Sequence, residues 1–178
     1  MLITFAIAAA VFVLDVITKY AVAENIELYK AIDIIPGVLK LTNIPNDGIA
    51  FGMLDNARWL FMLVTSVLVV CLAAFAVICK NYHKTVYICA GLILGGGIGN
   101  LVDRIFALGR YDLPKNVVDF IDFCAFSVWK WSFNAADASV CIGVGLFLIY
   151  LVFFDKKAEQ KGYKAILAEK KNGEKPKE

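Results

Sequence analysis

Asp103, Arg104, Asp119, Asp122 and Asp137 fall within one stretch that reads GGGIGNLVDR, a polar segment, VVDFID and then FNAADAS, at or beside the ends of two strongly apolar runs. A charge deep in a bilayer costs about 2.5 to 3.5 kcal/mol on insertion scales, so such residues pair, line a cavity or do chemistry. Two carboxylates within hydrogen-bond reach cannot both ionise cheaply, and the pair tends to share one proton. The ionised member can then deprotonate a water that attacks a peptide carbonyl, while the protonated member donates to the developing oxyanion. Neither a nucleophilic side chain nor a metal is required. Spacing alone leaves three readings open: a catalytic aspartyl dyad, a buried structural network, or an ion path.

Other chemistries find little support. Five cysteines stand at 71, 79, 89, 124 and 141, with no CxxC and four of them inside apolar runs. They read as small hydrophobes in packed helices, and the absence of close thiol pairs argues against a four-helix disulfide-exchange protein. His83, the only histidine, lies between Tyr82 and Lys84 and reads as a solvated loop residue; without other histidines or clustered cysteines no zinc site is expected. The glycine-rich run GGGIGN does not fit GxGxxG and follows no βα pattern, so a dinucleotide loop is excluded. No cofactor is expected. Net charge is +2 and basic residues do not interleave with aromatics along one face, so nucleic acid is not an expected partner.

The elements that must position these residues are membrane helices. Sixty per cent hydrophobic content and a mean hydropathy of +0.70 over 178 residues are membrane composition. Met1 to Ala23 gives a first span; a cleaved signal peptide would have a basic start and no Asp in its apolar body. Asp15 and Lys19, four apart, share a face there and are read as a structural pair. Trp59 to Cys79 gives the second span, with Arg58 and Trp59 as interfacial anchors. Thr85 to Val102 gives the third, where Gly91, Gly95 and Gly99 line one face and permit close helix approach. Asn100, Asp103 and Arg104 then present an amide, a carboxylate and a guanidinium on one side, and the arginine fork could clamp a carboxylate or backbone carbonyls. Asn134 to Phe154 gives the fourth span, in which Ala135, Ser139 and Gly143 repeat the small-residue spacing and Asn134, Asp137 and Cys141 share a face.

Between the first two spans, Glu24 to Ala57 reads as strand, turn, strand and a tight loop at Pro45-Asn46-Asp47-Gly48. Asn46 and Gly48 stand out there, because Asn tolerates left-handed geometry and Gly allows close backbone approach; a plain surface turn is the equal alternative. Phe106 to Phe133 reads as a second loop outside the membrane, containing VVDFID. The fold class is therefore all-α membrane protein with four transmembrane helices. Residues 1–155 form one domain, with extracytoplasmic loops at about 24–57 and 106–133, and 156–178 form a basic cytoplasmic tail. Four spans place both termini on one side, and the lysines of the 80–84 loop and of the tail mark that side as the cytoplasm. The ends of spans three and four and both long loops then meet at the outer face.

In order along the chain, Asp15 with Lys19, then Asn46, Gly48, Ala50 and Phe51 in an NxGxAF loop, then GNLVDR, VVDF and FNAAD resemble the blocks of the lipoprotein signal peptidases (signal peptidase II) over roughly residues 10 to 155. These are bacterial membrane aspartic proteases that remove signal peptides from lipid-modified prolipoproteins. The resemblance implies that Asp119 and Asp137 are the catalytic pair, and that Asn46, Gly48, Asn100, Asn134 and Arg104 position substrate or dyad. Asp15, Lys19 and Asp103 would be polar scaffold. It also implies cleavage just before a diacylglyceryl-modified cysteine, a small outer β-cradle over the threaded peptide, acyl chains among the helices, inhibition by globomycin-type cyclic peptides, a monomer, and residence in the bacterial cytoplasmic membrane. The connection from Arg104 to Asp119 is longer than is usual in that family, with RYDLPKN added. Asp122 would share a face with Asp119 were VVDFID helical, and is read as a solvated or interfacial residue. The rival functions are a small proton-coupled carrier relaying through Asp15, Asp103 and Asp137, and a non-catalytic scaffold.

Overall fold

A computed structural model describes residues 1–46, 58–79, 82–106, 117–125 and 131–155. Four helices are long and apolar enough to cross a membrane: α1 (Leu2–Asn25), α2 (Arg58–Ile78), α3 (Lys84–Phe106) and α4 (Ala135–Tyr150), the last continuing through a π-helical turn at Leu151–Asp155. All four expected spans are present. α3 runs on past Val102, so Asp103 and Arg104 sit inside its last turn and not beyond it.

α3 is the central helix and packs against the other three. Glycine is what lets α1 so close: a Cβ at Gly91 would stand 2.8 Å from the Thr4 carbonyl oxygen, one at Gly95 2.7 Å from that of Ala8, and one at Gly99 2.6 Å from an Asp15 carboxylate oxygen. The three glycines therefore line one helix contact, as their spacing predicts. α4 meets α3 through Ala136, Ser139 and Gly143, all buried. Ala135 instead packs on the cluster of Val22, Ile26, Val118 and Phe120, so the small-residue seam begins one residue later than the sequence reading placed it. Apolar side chains such as Leu63, Val67 and Val70 of α2 stay exposed on the bundle surface, as expected where lipid is the solvent.

The second long segment is not simply a loop. β1 (Ala31–Ile35), β2 (Leu39–Asn46), β3 (Val117–Phe123) and β4 (Ser132–Phe133) form one antiparallel sheet in that order. VVDFID is its third strand, buried from Val117 to Phe120. A continuous apolar run suits a strand covered on both faces. Here one face carries Val118 and Phe120 into the cluster with Val22 and Ile26 at the end of α1, and the other carries Val117 and Asp119. The buried Asn43 fastens the sheet to α1 by donating from Nδ2 to the Ile26 carbonyl at 2.6 Å.

Candidate active site

The capping of α4 sets the geometry. Asn134 is its N-cap, accepting at Oδ1 from the Asp137 backbone N–H at 2.9 Å, while Asp137 Oδ2 accepts from the Asn134 N–H at 3.2 Å. This reciprocal box satisfies two backbone donors that the first turn would otherwise leave unpaired, and it locks the Asp137 carboxylate to the helix start. It also fixes the Asn134 amide, because the oxygen is committed to Asp137 and the NH2 must turn elsewhere. That NH2 donates to Asp119 Oδ1 at 2.7 Å and reaches Asn100 Oδ1 at 3.3 Å. One fully buried asparagine thus touches both carboxylates.

Asp119 comes from the sheet. Asn46 pairs with Val117 across β2 and β3, and Ile44 with Asp119, so Asn46 and Asp119 are diagonal neighbours on one face. The Asn46 Nδ2 donates to Asp119 Oδ2 at 2.7 Å. The role of Asn46 is therefore amide donation from the end of a strand; it adopts no left-handed conformation, and Tyr29 is the non-glycine residue that does among those described. Asn100 of α3 completes the arrangement by donating from Nδ2 to Asp137 Oδ1 at 2.7 Å. Each of the four carboxylate oxygens accordingly accepts at least one N–H.

Asp119 is only 3% exposed, and burial followed by the nearby Asp137 charge pushes its carboxyl up from 3.8 to about 7, against the pull of the Asn46 and Asn134 amides and of Lys19. At neutral pH this group is poised to hold or release a proton, which general acid–base work requires. Asp122 points the other way. Three positions along a strand reverse the side chain, and Asp122 lies half-buried opposite Lys40 and Ser132. The strand removes the ambiguity that a helical reading of VVDFID would have left.

Both carboxylates open into a cavity of about 770 Å³ between α2, α3, α4 and the sheet. Its polar mouth holds Asn46, Asn100, Arg104, Asp119 and Asp137, and its body is apolar, with Val64, Leu68, Ile93 and Val140 among the lining residues. Arg104 donates to the Asn100 carbonyl of its own helix at 3.1 Å and lies 5.1 Å over the Phe61 ring, a single contact one turn back plus a cation–π contact. Phe61, Thr65, Trp131 and Phe133 also line the cavity, and the sequence reading missed them. Aromatics beside FNAAD were a usable signal for Trp131 and Phe133; Phe61 has none, being one apolar residue among many in α2. Gly48, Ala50, Phe51 and the RYDLPKN insertion lie outside the described residues.

Behind the mouth, Lys19 is sealed between Asp15 at 2.6 Å and Asp103 at 2.5 Å, all three nearly without exposure. The expected pair is thus a triad. Asp15 also accepts the Ala136 N–H at 2.9 Å, tying α1 to the first turn of α4. His83 is exposed at the opposite end of α3, stacked 5.6 Å from the Tyr150 ring. Of the cysteines, only Cys89 is buried; Cys71 and Cys141 are exposed, and Cys141 lines the cavity one turn from Asp137. No cluster of metal ligands occurs among the described residues.

Comparison with known proteins agrees with this architecture. Two solved structures, each described as a bacterial membrane enzyme determined by the in meso method, superpose with a TM-score of 0.72. The first, at 2.3 Å, is 32% identical, covering 84% of this chain and 87% of that one; the second, at 1.9 Å, is 31% identical, covering 85% and 93%. A lipoprotein signal peptidase of Symbiobacterium thermophilum is 36% identical over 156 residues, 88% of this chain and 98% of the relative. Residues 7–153 match the family described as signal peptidase (SPase) II. The chain is a multi-pass membrane protease and belongs to the signal peptidase II family.

Proposed function

We propose that this protein cleaves the signal peptide from diacylglyceryl-modified prolipoproteins just before the lipidated cysteine, using Asp119 and Asp137 as an aspartyl dyad that activates a water. The observation that carries the reading is the pair of carboxylates cross-linked by Asn134 at the polar mouth of an apolar cavity inside a membrane bundle. Acyl chains suit the apolar body, and a substrate held by them presents its scissile bond to the mouth already oriented.

In the reaction the dyad holds one proton. The ionised carboxylate takes a proton from water as the hydroxide oxygen bonds to the peptide carbonyl carbon, and the protonated carboxyl donates to the carbonyl oxygen. Collapse of the tetrahedral intermediate returns a proton to the dyad from one hydroxyl, and the dyad delivers its other proton to the leaving nitrogen. The C–N bond breaks, giving a carboxylic acid on the signal peptide and a free amine on the lipidated cysteine, with the dyad again holding one proton; the acid then loses its proton to solvent. The amides of Asn46, Asn100 and Asn134 keep both carboxylates in place through these exchanges. Arg104 lines the same mouth, beside the path this reading gives the bound peptide.

The protein acts as a monomer in this reading, since one chain supplies every group named. It lies in the bacterial cytoplasmic membrane with both termini cytoplasmic, the sheet capping the outer face. A globomycin-type cyclic peptide would compete for the same mouth and cavity. The test is a gel-shift assay of processing, with lipidated and unlipidated precursors, for wild type, Asp119→Asn and Asp137→Asn. Wild type should process the lipidated form alone and stop when globomycin is added, and both variants should insert and fold but leave precursor intact. Normal cleavage by the Asp137→Asn protein would end the proposal.

A further inference from the structure

We infer that Lys19 is a positioning residue for the carboxylate pair, acting on Asp137 through the side-chain amide of Asn100. This rests on the dyad reading above and extends the reacting assembly to a side chain that never meets substrate.

A lysine ammonium has three donors and no acceptor. Those of Lys19 reach Asp15 Oδ2 at 2.6 Å, Asp103 Oδ2 at 2.5 Å and Asn100 Oδ1 at 3.3 Å. The third contact is the informative one. An asparagine amide has nearly the same shape at both ends and opposite polarity, so its neighbours decide which end faces where. With its oxygen drawn by the Lys19 cation and by the Asn134 NH2, Asn100 must turn its NH2 to Asp137 Oδ1, at 2.7 Å.

The two carboxylates around Lys19 make it matter more. Asp103 lies one turn from Asn100 on the same helix and, like Asn100, is held by the ammonium. Without the cation, Asp103 becomes a buried acceptor lacking its donor, and the Asn100 NH2 is a donor within its neighbourhood. The amide would then serve two competing carboxylates, Asp103 behind it and Asp137 in front. Lys19 satisfies Asp103 and thereby reserves the Asn100 NH2 for Asp137. Its charge at the oxygen end also polarises the amide and strengthens the N–H donated to the dyad.

Asn100 and Asp137 line the cavity, whereas Asp15, Lys19 and Asp103 do not. Lys19 therefore has no route to the bound substrate except through neighbouring side chains. Its removal should lower kcat and leave KM nearly alone. Asp15 holds the Ala136 N–H with Oδ1, not with the Oδ2 that faces Lys19, so the α1–α4 tie persists when Lys19 is lost.

The experiment is a double-mutant cycle on processing of a lipidated precursor by the full-length protein in detergent micelles. Lys19→Met should reduce kcat roughly 10-fold or more, with KM changed less than about 2-fold. In an Asn100→Ala background the same substitution should cost at least about 3-fold less in kcat, the remainder being the direct pull of the Lys19 charge on Asp119. If Lys19→Met does not accumulate because two carboxylates are left without a counter-charge, the cycle is run in an Asp103→Asn background, where only Asp15 lacks one; the loss is then smaller, because the competing carboxylate is gone, and it still depends on Asn100. Equal losses with and without Asn100, or a lowered Tm with unchanged kcat, would overturn the inference and leave Lys19 as scaffold. Asp137→Asn is the control for the reading beneath it: if that protein cleaves normally the dyad itself fails, and if it is inactive while the cycle is additive only the role of Lys19 fails.

Discussion

Asp119→Asn separates what this carboxylate does for the reaction from what it costs the fold. In the folded chain the group titrates near 7 and not at 3.8, because burial and then the Asp137 charge disfavour its ionised form. Between those two values the folded chain keeps a proton that the unfolded chain has released. The stability supplied by the protonated group is therefore complete below about pH 4, declines as the pH rises, and is gone above about 7. At 1.36 kcal/mol per pH unit, the interval from 3.8 to about 7 is worth about 4 kcal/mol. Asparagine carries no charge at any pH, so the variant lacks this slope. It also fits the donors: its oxygen can accept from Asn134, whose amide is fixed by Asp137, and its NH2 then meets the Asn46 amide, which can turn to present its oxygen. The expected result is an inactive protein that melts on the order of 8–16 °C above wild type at pH 8.5, with the difference shrinking toward pH 4.5. Tryptophan fluorescence in detergent micelles across that range measures it. A variant that melts at or below wild type at pH 8.5, or that keeps the wild-type pH dependence, refutes the reasoning.

Two further substitutions probe the sheet and the helix seam. Asn46→Ala removes one of the donors to Asp119, so the dyad should hold its proton more tightly; the alkaline limb of kcat should move upward on the order of one pH unit, and an unmoved or lowered limb in a pH–rate profile would contradict the assignment. Gly95→Leu places a Cβ 2.7 Å from the Ala8 carbonyl oxygen, a backbone atom that cannot swing aside, so Tm in detergent should fall sharply or the protein should fail to accumulate, and an unchanged Tm would show that α1 and α3 do not meet as described.

What the sequence made legible, and what it hid, divides along physical lines. Helix spans were visible because a bilayer demands about 20 apolar residues in a row, and a close helix contact along the glycine face of α3 was visible because glycine at every fourth position has few other uses in such a helix, though not that α1 would fill it. The aspartates announced themselves by standing beside apolar runs, where charge is costly, whereas Asn46, Asn100 and Asn134 were given site roles only by the family resemblance. The strand at VVDFID was not visible as such, since a short apolar run has no period to separate a buried strand from a loop or a helix end. That one ambiguity concealed the most useful geometric fact, the opposite directions of Asp119 and Asp122. Also hidden was the Asp15–Lys19–Asp103 triad, because the partner at 103 is distant in the chain and only tertiary packing closes the circuit. The register of the α4 seam escaped for a similar reason: Ala135 and Ala136 are equivalent as letters, and what distinguishes them is the cluster at the end of α1.

The costly groups are concentrated in two networks that meet at one residue, and this arrangement explains how the bundle tolerates them. Breaking a buried ion pair by deleting one partner typically costs 3–5 kcal/mol, about as much as a whole small protein can spare, so an isolated Lys19 or Asp103 would be untenable. Placed together with Asp15 they satisfy one another and hold α1 against α3 and α4 at the end where the sheet docks. If Asp119 and Asp137 work as proposed, they cannot be neutralised in that way, because a lysine beside them would take up the carboxylate that must accept a proton. Neutral amides from α3, β2 and the α4 cap are used instead, each giving a directional N–H without a counter-charge. Asn100 joins the two regions, accepting from the cation on one side and donating to the dyad on the other. In the proposed mechanism, structural charge and reactive charge are thereby kept one amide apart, so that Lys19 makes no ion pair with either member of the dyad.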